Sequence, residues 1–438
     1  MTQRVASVLL AALMAAAPLA GQTRSVTLDE AIALALASQP AIVQARGDLD
    51  VAFASRRQAF GSYLPTLSFN SSMSQNSSNR WNAATQQFIS QPQSVSYSTG
   101  LSASLLLFDG FSRMADTRAA RATVSSADAQ LTNQRFQVIL QTKQAFFGAL
   151  AAEDLVKVAE TQVERATQQL KISKDKLAAG SAIRSDTLRS TVELGNARLQ
   201  LLNAQANLAT VGANLARLIG TEGSAQATGT PLLPDLARLE EAGLRQEAVN
   251  RSPSVVAAEA QERAAGAQVG ISRAQYLPTV SASFSPSWAG ARDSASLAVT
   301  SVANWPQLGS SWSLRFNLSW PLFNGFSRET ALSRSLAGRD AAEARAADAR
   351  RQANASFTQQ WAAFQAAAQQ VVIAEASRAA ADEDLRVQQE RYRLGVATIV
   401  DVLTSQVSLG QAEVSLVQAR LNMLLAEAQL EALLGREL

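Results

Sequence analysis

The sequence predicts a membrane α+β fold laid out twice along one chain, each copy joining a β-hairpin to a very long helical hairpin. Three observations carry this expectation. Landmarks recur at a fixed offset, one segment alternates apolar and polar residues between two tryptophans, and two long Pro-free stretches end in matching Gly-containing turns.

The offset comes first because it organises the rest. Pro40 recurs as Pro253, and Tyr63-Leu64-Pro65 as Tyr276-Leu277-Pro278, both 213 residues on. Leu107-Phe108-Asp109-Gly110-Phe111-Ser112-Arg113 recurs as Leu322-Phe323-Asn324-Gly325-Phe326-Ser327-Arg328, 215 residues on, as Gly180 does in Gly395 and Gly220 in Gly435. A register held over so many landmarks indicates two copies of one structural unit.

Taken in order, residues 1–21 read as a secretory signal peptide: Arg4 is the positive start, Val8 to Ala17 the apolar middle, and small residues follow to Gly21. Each copy then opens with helical residues, Asp29 to Ala59 within residues 22–62 and Leu236 to Ala274 within residues 236–275. The period changes to two in residues 63–108 and 276–323, the expected β-hairpins. Within them Asn70 to Gln93 and Ala289 to Ser310, rich in small polar residues, read as exposed loops. Trp312, Leu314, Phe316, Leu318 and Trp320 alternate with Ser313, Arg315, Asn317 and Ser319. About ten residues with aromatic ends suit a tilted strand crossing a bilayer. A half-buried strand in a soluble sandwich gives the same alternation, so both readings stand at this point.

Residues 109–220 and 324–438 are expected to be the helical hairpins. Phe111 to Leu177 and Phe326 to Leu394 contain no Pro and are rich in Ala, Gln, Arg, Glu and Leu. At 1.5 Å per residue each helix would run roughly 100 Å. Gly180 and Gly395 end them, and Thr398 with Asp401 three residues later has capping-box spacing for the returning helix. The returning helices carry heptads, Leu194, Leu201, Leu208 and Leu215 against Leu409, Leu416, Met423 and Leu430, with Ala197, Ala204, Ala412 and Ala419 among the intervening positions. Such a seam packs outgoing and returning helices antiparallel and close. Residues 221–235, with Gly223, Gly229, Pro231 and Pro234, read as a linker.

Composition narrows the function. The 438 residues contain no Cys and no His, which removes thiol and imidazole chemistry and the commonest zinc ligand sets, so no metal or cofactor is expected. A net charge of +3 with scattered arginines carries no nucleic-acid footprint. Carboxylates remain, at Asp382-Glu383-Asp384 and Glu240-Glu241, but both lie on polar helical stretches suited to a solvated face. Four strands cannot close a barrel, and an open sheet in lipid leaves backbone groups unpaired. Three chains around a ring axis would supply twelve strands and close it.

With these residues in view, the sequence resembles the TolC-like outer membrane efflux proteins, the trimeric channel-tunnels of Gram-negative bacteria. The duplication, the two YLP motifs, the LFDGFSR and PLFNGFSR joints and the tip YRLGVATIVDVL carry the resemblance. It implies a trimeric twelve-stranded outer-membrane β-barrel, four strands per chain, continued by a periplasmic α-helical barrel of paired coiled coils. It implies a homotrimer in outer-membrane lipid, working with a periplasmic adaptor and an inner-membrane pump of the RND or ABC type. The duct would serve drug efflux or type I secretion.

The resemblance also implies a gate at the tips. Tyr392 would reach the hydroxyl of Ser185 and the carboxylate of Asp186; the family's Arg position holds Ala397, for which Arg184 offers a substitute. Of two constriction aspartates three residues apart, Asp401 is present and Thr404 stands in the second place. Gly180, Gly395, Val396 and Ala397 would form the tips that meet the adaptor. Apart from the family, a ring of carboxylates at a constriction favours cations, whereas the same aspartates would also complement helix N-termini. A periplasmic coiled coil without channel activity and a secreted carboxylate hydrolase are the alternatives.

Overall fold

The computed structural model describes residues 24–90, 94–233, 240–293 and 309–438. The expected signal peptide, residues 1–21, lies outside these, as do the end of the linker and the middle of the second strand-joining loop. The chain forms two compact units.

One unit, residues 49–127 and 258–346, holds the sheet. Strands β2 (Thr66–Asn76), β5 (Ser94–Phe108), β7 (Thr279–Asp293) and β8 (Gly309–Ser319) form a four-stranded sheet in the order β2-β5-β7-β8. All three pairings are antiparallel, and β5 with β7 joins the two copies. The register aligns apolar residues in rows such as Leu67–Ala103–Phe284–Leu314. The neighbouring rows, such as Thr66–Ser104–Ser283–Arg315, are polar. Cross-strand hydroxyl pairs line the polar face, Ser68–Ser102 at 2.5 Å, Ser72–Ser98 at 2.7 Å and Ser287–Ser311 at 2.9 Å.

The strands run further than the residue types indicate. Asn70 to Asn76 belong to β2, and β7 and β8 extend to Asp293 and back to Gly309, so both expected loops are shorter. Serines that favour turns in isolation are held here by partners across the sheet. Residues 79–90 also form a small hairpin, β3 (Asn79–Asn82) with β4 (Gln87–Ser90), fixed by an edge-to-face contact of Trp81 with Phe88 at 5.0 Å.

The recurring motifs meet where strand becomes helix. Asp109 Oδ2 accepts from the Arg113 backbone N–H at 2.7 Å and its guanidinium Nε at 3.1 Å, holding the start of the next helix. The Arg113 guanidinium lies over the Tyr63 ring, and Arg328 lies over Tyr276 in the same way, 5.0 and 4.8 Å from the centroids. Asn324 replaces Asp109 in the second copy; Arg113 donates to the Leu107 carbonyl, and Arg328 donates to the equivalent Leu322 carbonyl and also to that of Pro321. YLP and GFSR are thus two halves of one joint.

The other unit, residues 24–48, 128–257 and 347–438, is mainly helical. A short parallel pair, β1 (Arg24–Val26) with β6 (Ala225–Ala227), places part of the expected linker in a sheet. Each opening helical stretch is two helices: α1 (Leu28–Ser38) and α2 (Pro40–Gly61), then α5 (Glu241–Arg251) and α6 (Pro253–Ala274). The breaks fall at Gln39 and Ser252, whose ψ of 126° and 143° is the extended conformation that a following Pro imposes. The long helices are α3 (Ser112–Ala178) and α7 (Ser327–Arg393), 67 residues each, and α4 (Arg184–Ile219) and α8 (Ile399–Leu434), 36 each. Buried Leu194, Ala197, Leu215, Leu409, Met423 and Leu430 mark the heptad seam.

Candidate functional site

Both tips end their outgoing helix in the same way. Gly180 and Gly395 take φ of +71° and +81°, conformations that a β-carbon would strain. Ser181 N–H donates to the Lys176 carbonyl and Gly180 N–H to Leu177, while Val396 donates to Arg391 and Gly395 to Tyr392. These are the two bonds of a Schellman motif, and they satisfy helix-end carbonyls.

The starts of the returning helices differ. At the second tip, Asp401 Oδ2 accepts from the Thr398 backbone N–H at 2.7 Å and its hydroxyl at 2.8 Å, while Asp401 N–H reaches Thr398 Oγ1 at 3.4 Å. The capping box is therefore present. The Thr398 backbone and side-chain donors hold the Asp401 carboxyl below its ordinary value, with help from the Arg391 charge. At the first tip Ile183 is the N-cap and makes no side-chain cap bond. Asp186 is left in the first turn beside half-buried Ser185, with Arg184 exposed.

Tyr392 is the most enclosed of the expected gate residues, 7% exposed and packed with Leu385, Ile399, Val402 and Leu409. Among the described residues its hydroxyl makes no well-formed hydrogen bond, so the expected bond to Ser185 or Asp186 is not formed within the chain. Burial pushes its ionisation up, neighbouring Ser173 partly offsets this, and the Asp186 charge pushes it up further.

Ring and carbonyl of Tyr392 are engaged instead. Lys176, in the last turn of α3, donates from Nζ to the Tyr392 carbonyl, and the same ammonium sits 3.9 Å from the ring centroid. A cation from one hairpin thus meets the negative end of the other hairpin's outgoing helix and the face of an aromatic ring. The sequence offers Arg184 for this role, whereas in the structure the cation is Lys176. Its position in a last helical turn was the available signal, but no local pattern names a partner 216 residues away.

Further bonds join outgoing and returning helices near the tips. Ser173 and Ser190 pair at 2.9 Å in the first hairpin, and Ser405 donates to Asp384 at 2.5 Å in the second. Asp384, one of the carboxylates considered for catalysis, is thereby a helix-to-helix tie. Thr404, Val396, Gly180 and Gly395 are exposed and Ala397 is half-buried. Among the described residues no group of acidic side chains is arranged to hold a metal ion.

Comparison with known proteins matches this architecture. The family model described as outer membrane efflux protein matches residues 31–221 and again 244–436, one match per copy. Protein CyaE of Bordetella pertussis is 30% identical over 323 residues, covering 68% of this chain and 62% of that protein. The pyoverdine export outer membrane protein OpmQ of Pseudomonas aeruginosa is 30% identical over 359 residues, covering 78% and 70%. Among solved structures, the outer membrane protein VceC of Vibrio cholerae superposes with a TM-score of 0.77 at 20% identity, covering 94% of this chain and 96% of that one. The open-state MtrE channel of Neisseria gonorrhoeae gives 0.76 at 20% identity, covering 93% and 89%. With a family match over both copies, the chain belongs to the outer membrane efflux protein family.

Proposed function

We propose that three copies of this chain close a twelve-stranded barrel in the outer membrane and continue into the periplasm as a helical duct. It passes small molecules or proteins delivered by an inner-membrane RND or ABC pump through a periplasmic adaptor. The carrying observation is the sheet. Among the described residues strands β2 and β8 each pair on one side only, and the apolar face leaves Leu67, Phe69, Phe316 and Leu318 about 70% exposed, between 68% and 77%. A soluble sandwich buries such a face, whereas lipid covers it and neighbouring copies pair the edges. Membership of a family of efflux proteins sets aside the hydrolase and the inert coiled coil.

The tips serve as the periplasmic gate. Asp401, once per copy, supplies a ring of carboxylates beside exposed Thr404, and the ring favours cations at the mouth. The closed mouth is held by Lys176 on Tyr392 in place of the arginine that Ala397 lacks, with Asp186, Ser185 and Arg184 on the facing tip. Gly180, Gly395, Val396 and Ala397 present the surface that the adaptor engages. The test is conductance of the purified protein in planar bilayers. Small closed-state currents that Asp401→Ala renders less cation-selective and less sensitive to divalent block support the gate. Selectivity and block that ignore Asp401 would overturn it.

A further inference from the structure

The polar face of the sheet carries a charge that the gate does not use. In β2, β5 and β8 every residue is neutral except Arg315, and the two charged residues of β7 are its last two, Arg292 and Asp293. Arg315 shares its register row with Thr66, Ser104 and Ser283, small hydroxyl residues that neither neutralise nor crowd a guanidinium. It is exposed and has no ion pair among the described residues. The adjoining rows, Leu314 with Phe284 and Phe316 with Ala282, point to the other side. An arginine on the lipid side of a barrel is costly, so the serine face is the one that lines water. Arg315 lies four positions before Ser319, the end of β8 that leads to the helical joint, about 13 Å along the strand at 3.3 Å per residue, which puts it inside the wall.

We infer that Arg315, repeated by three-fold symmetry, forms a cationic ring inside the barrel lumen, towards its helical end, that favours anions, chloride and carboxylate-bearing solutes. The inference rests on the barrel reading above. It gives the duct two rings of opposite sign, carboxylates at the tips and guanidinium groups in the barrel, with distinct residues controlling each.

The chain contains no Cys, so Arg315→Cys and Phe316→Cys each introduce a single thiol. Both are prepared as trimers, checked by their heat-modifiable band, and reconstituted in planar bilayers under a potassium chloride gradient. A water-soluble anionic thiosulfonate is expected to modify Arg315→Cys and not Phe316→Cys. It is expected to lower the chloride-to-potassium permeability ratio about twofold or more, with Arg315→Gln shifting it less in the same direction and Arg315→Lys leaving it unchanged. To keep the tip ring from masking the barrel, the same comparison is made in the Asp401→Ala background. An unreactive Arg315→Cys, equal reaction at Phe316→Cys, or one permeability ratio for wild type, Gln and modified Cys would overturn the inference while leaving the duct intact. Trimers that conduct nothing would overturn the duct, and the ring with it.

Discussion

The two tips share the backbone ending of their outgoing helices and differ in the side chains that surround it. Leu177 and Tyr392 occupy equivalent places, yet Leu177 is 36% exposed and Tyr392 is 7% exposed. Ile183 and Thr398 are equivalent N-caps, one without a side-chain bond and the other in a full capping box. The first tip supplies the cation, Lys176, and the second supplies the ring and carbonyl that receive it. Duplication gave two similar hairpins, and divergence at a few positions made them complementary. One tip is internally braced; the other reaches across to it.

Removing the receiving ring has the largest expected effect. Tyr392→Ala should cost about 3 kcal/mol or more, the usual penalty for emptying an aromatic site, and open the closed state. Tyr392→Phe should change neither thermal stability nor conductance, because the hydroxyl has no well-formed bond among the described residues. A rise in conductance for the Phe variant would show instead that the hydroxyl latches a neighbour.

Next is the cation itself. A charge-assisted hydrogen bond contributes about 1.5–3 kcal/mol, so Lys176→Met should raise the open fraction about tenfold in bilayers, with Lys176→Arg restoring most of the closure. If both variants gate like wild type, the asymmetry between the tips has no part in closure.

Smaller effects test the caps. Thr398→Ala should lower thermal stability by about 1 kcal/mol. Because the folded carboxyl of Asp401 is held below its unfolded value, its contribution is present above the unfolded pKa and is lost as pH falls through the folded one. The Thr398→Ala deficit should therefore shrink in strong acid. Giving the first tip the second tip's cap, Ile183→Thr, should add a few tenths to 1 kcal/mol with Asp186 already in place, measured by the melting of the trimer band.

The copies also diverge along the returning helices. Gly212 stands where the second copy has Glu427, because Ser224 and Ala225 lie against it and a β-carbon would approach the Ser224 hydroxyl at 2.7 Å. Burial lifts Glu427 to about 7, with the Glu431 charge adding to the shift and Lys143 opposing it. A raised carboxyl binds its proton more tightly when folded, so stability falls as pH rises from about 4.5 to about 7. Glu427→Gln should melt higher than wild type at pH 8 and match it at pH 5.

Much of this was legible in the sequence because the signals are local or repeated. The two long helices, the glycine turns, the Thr398–Asp401 box and the apolar alternation of β8 all rest on spacing within one segment. The serine-rich ends of β2, β7 and β8 were not legible, since Ser and Asn state a preference for turns and only their cross-strand partners reverse it. The Lys176–Tyr392 contact was hidden for a different reason. It joins two hairpins at positions that the repeat does not equate, and the family pattern points to Ala397 and Arg184 instead. The break before Pro40 was visible in principle, and helical composition on both sides concealed it.

The most direct measurement is the mass of the particle extracted in mild detergent from outer membranes, by light scattering on the chromatographic peak. Three chains per particle, heat-modifiable and confined to the outer membrane fraction, is the expected result. A single chain recovered from the soluble periplasm would contradict both the closed barrel and the gate built on it.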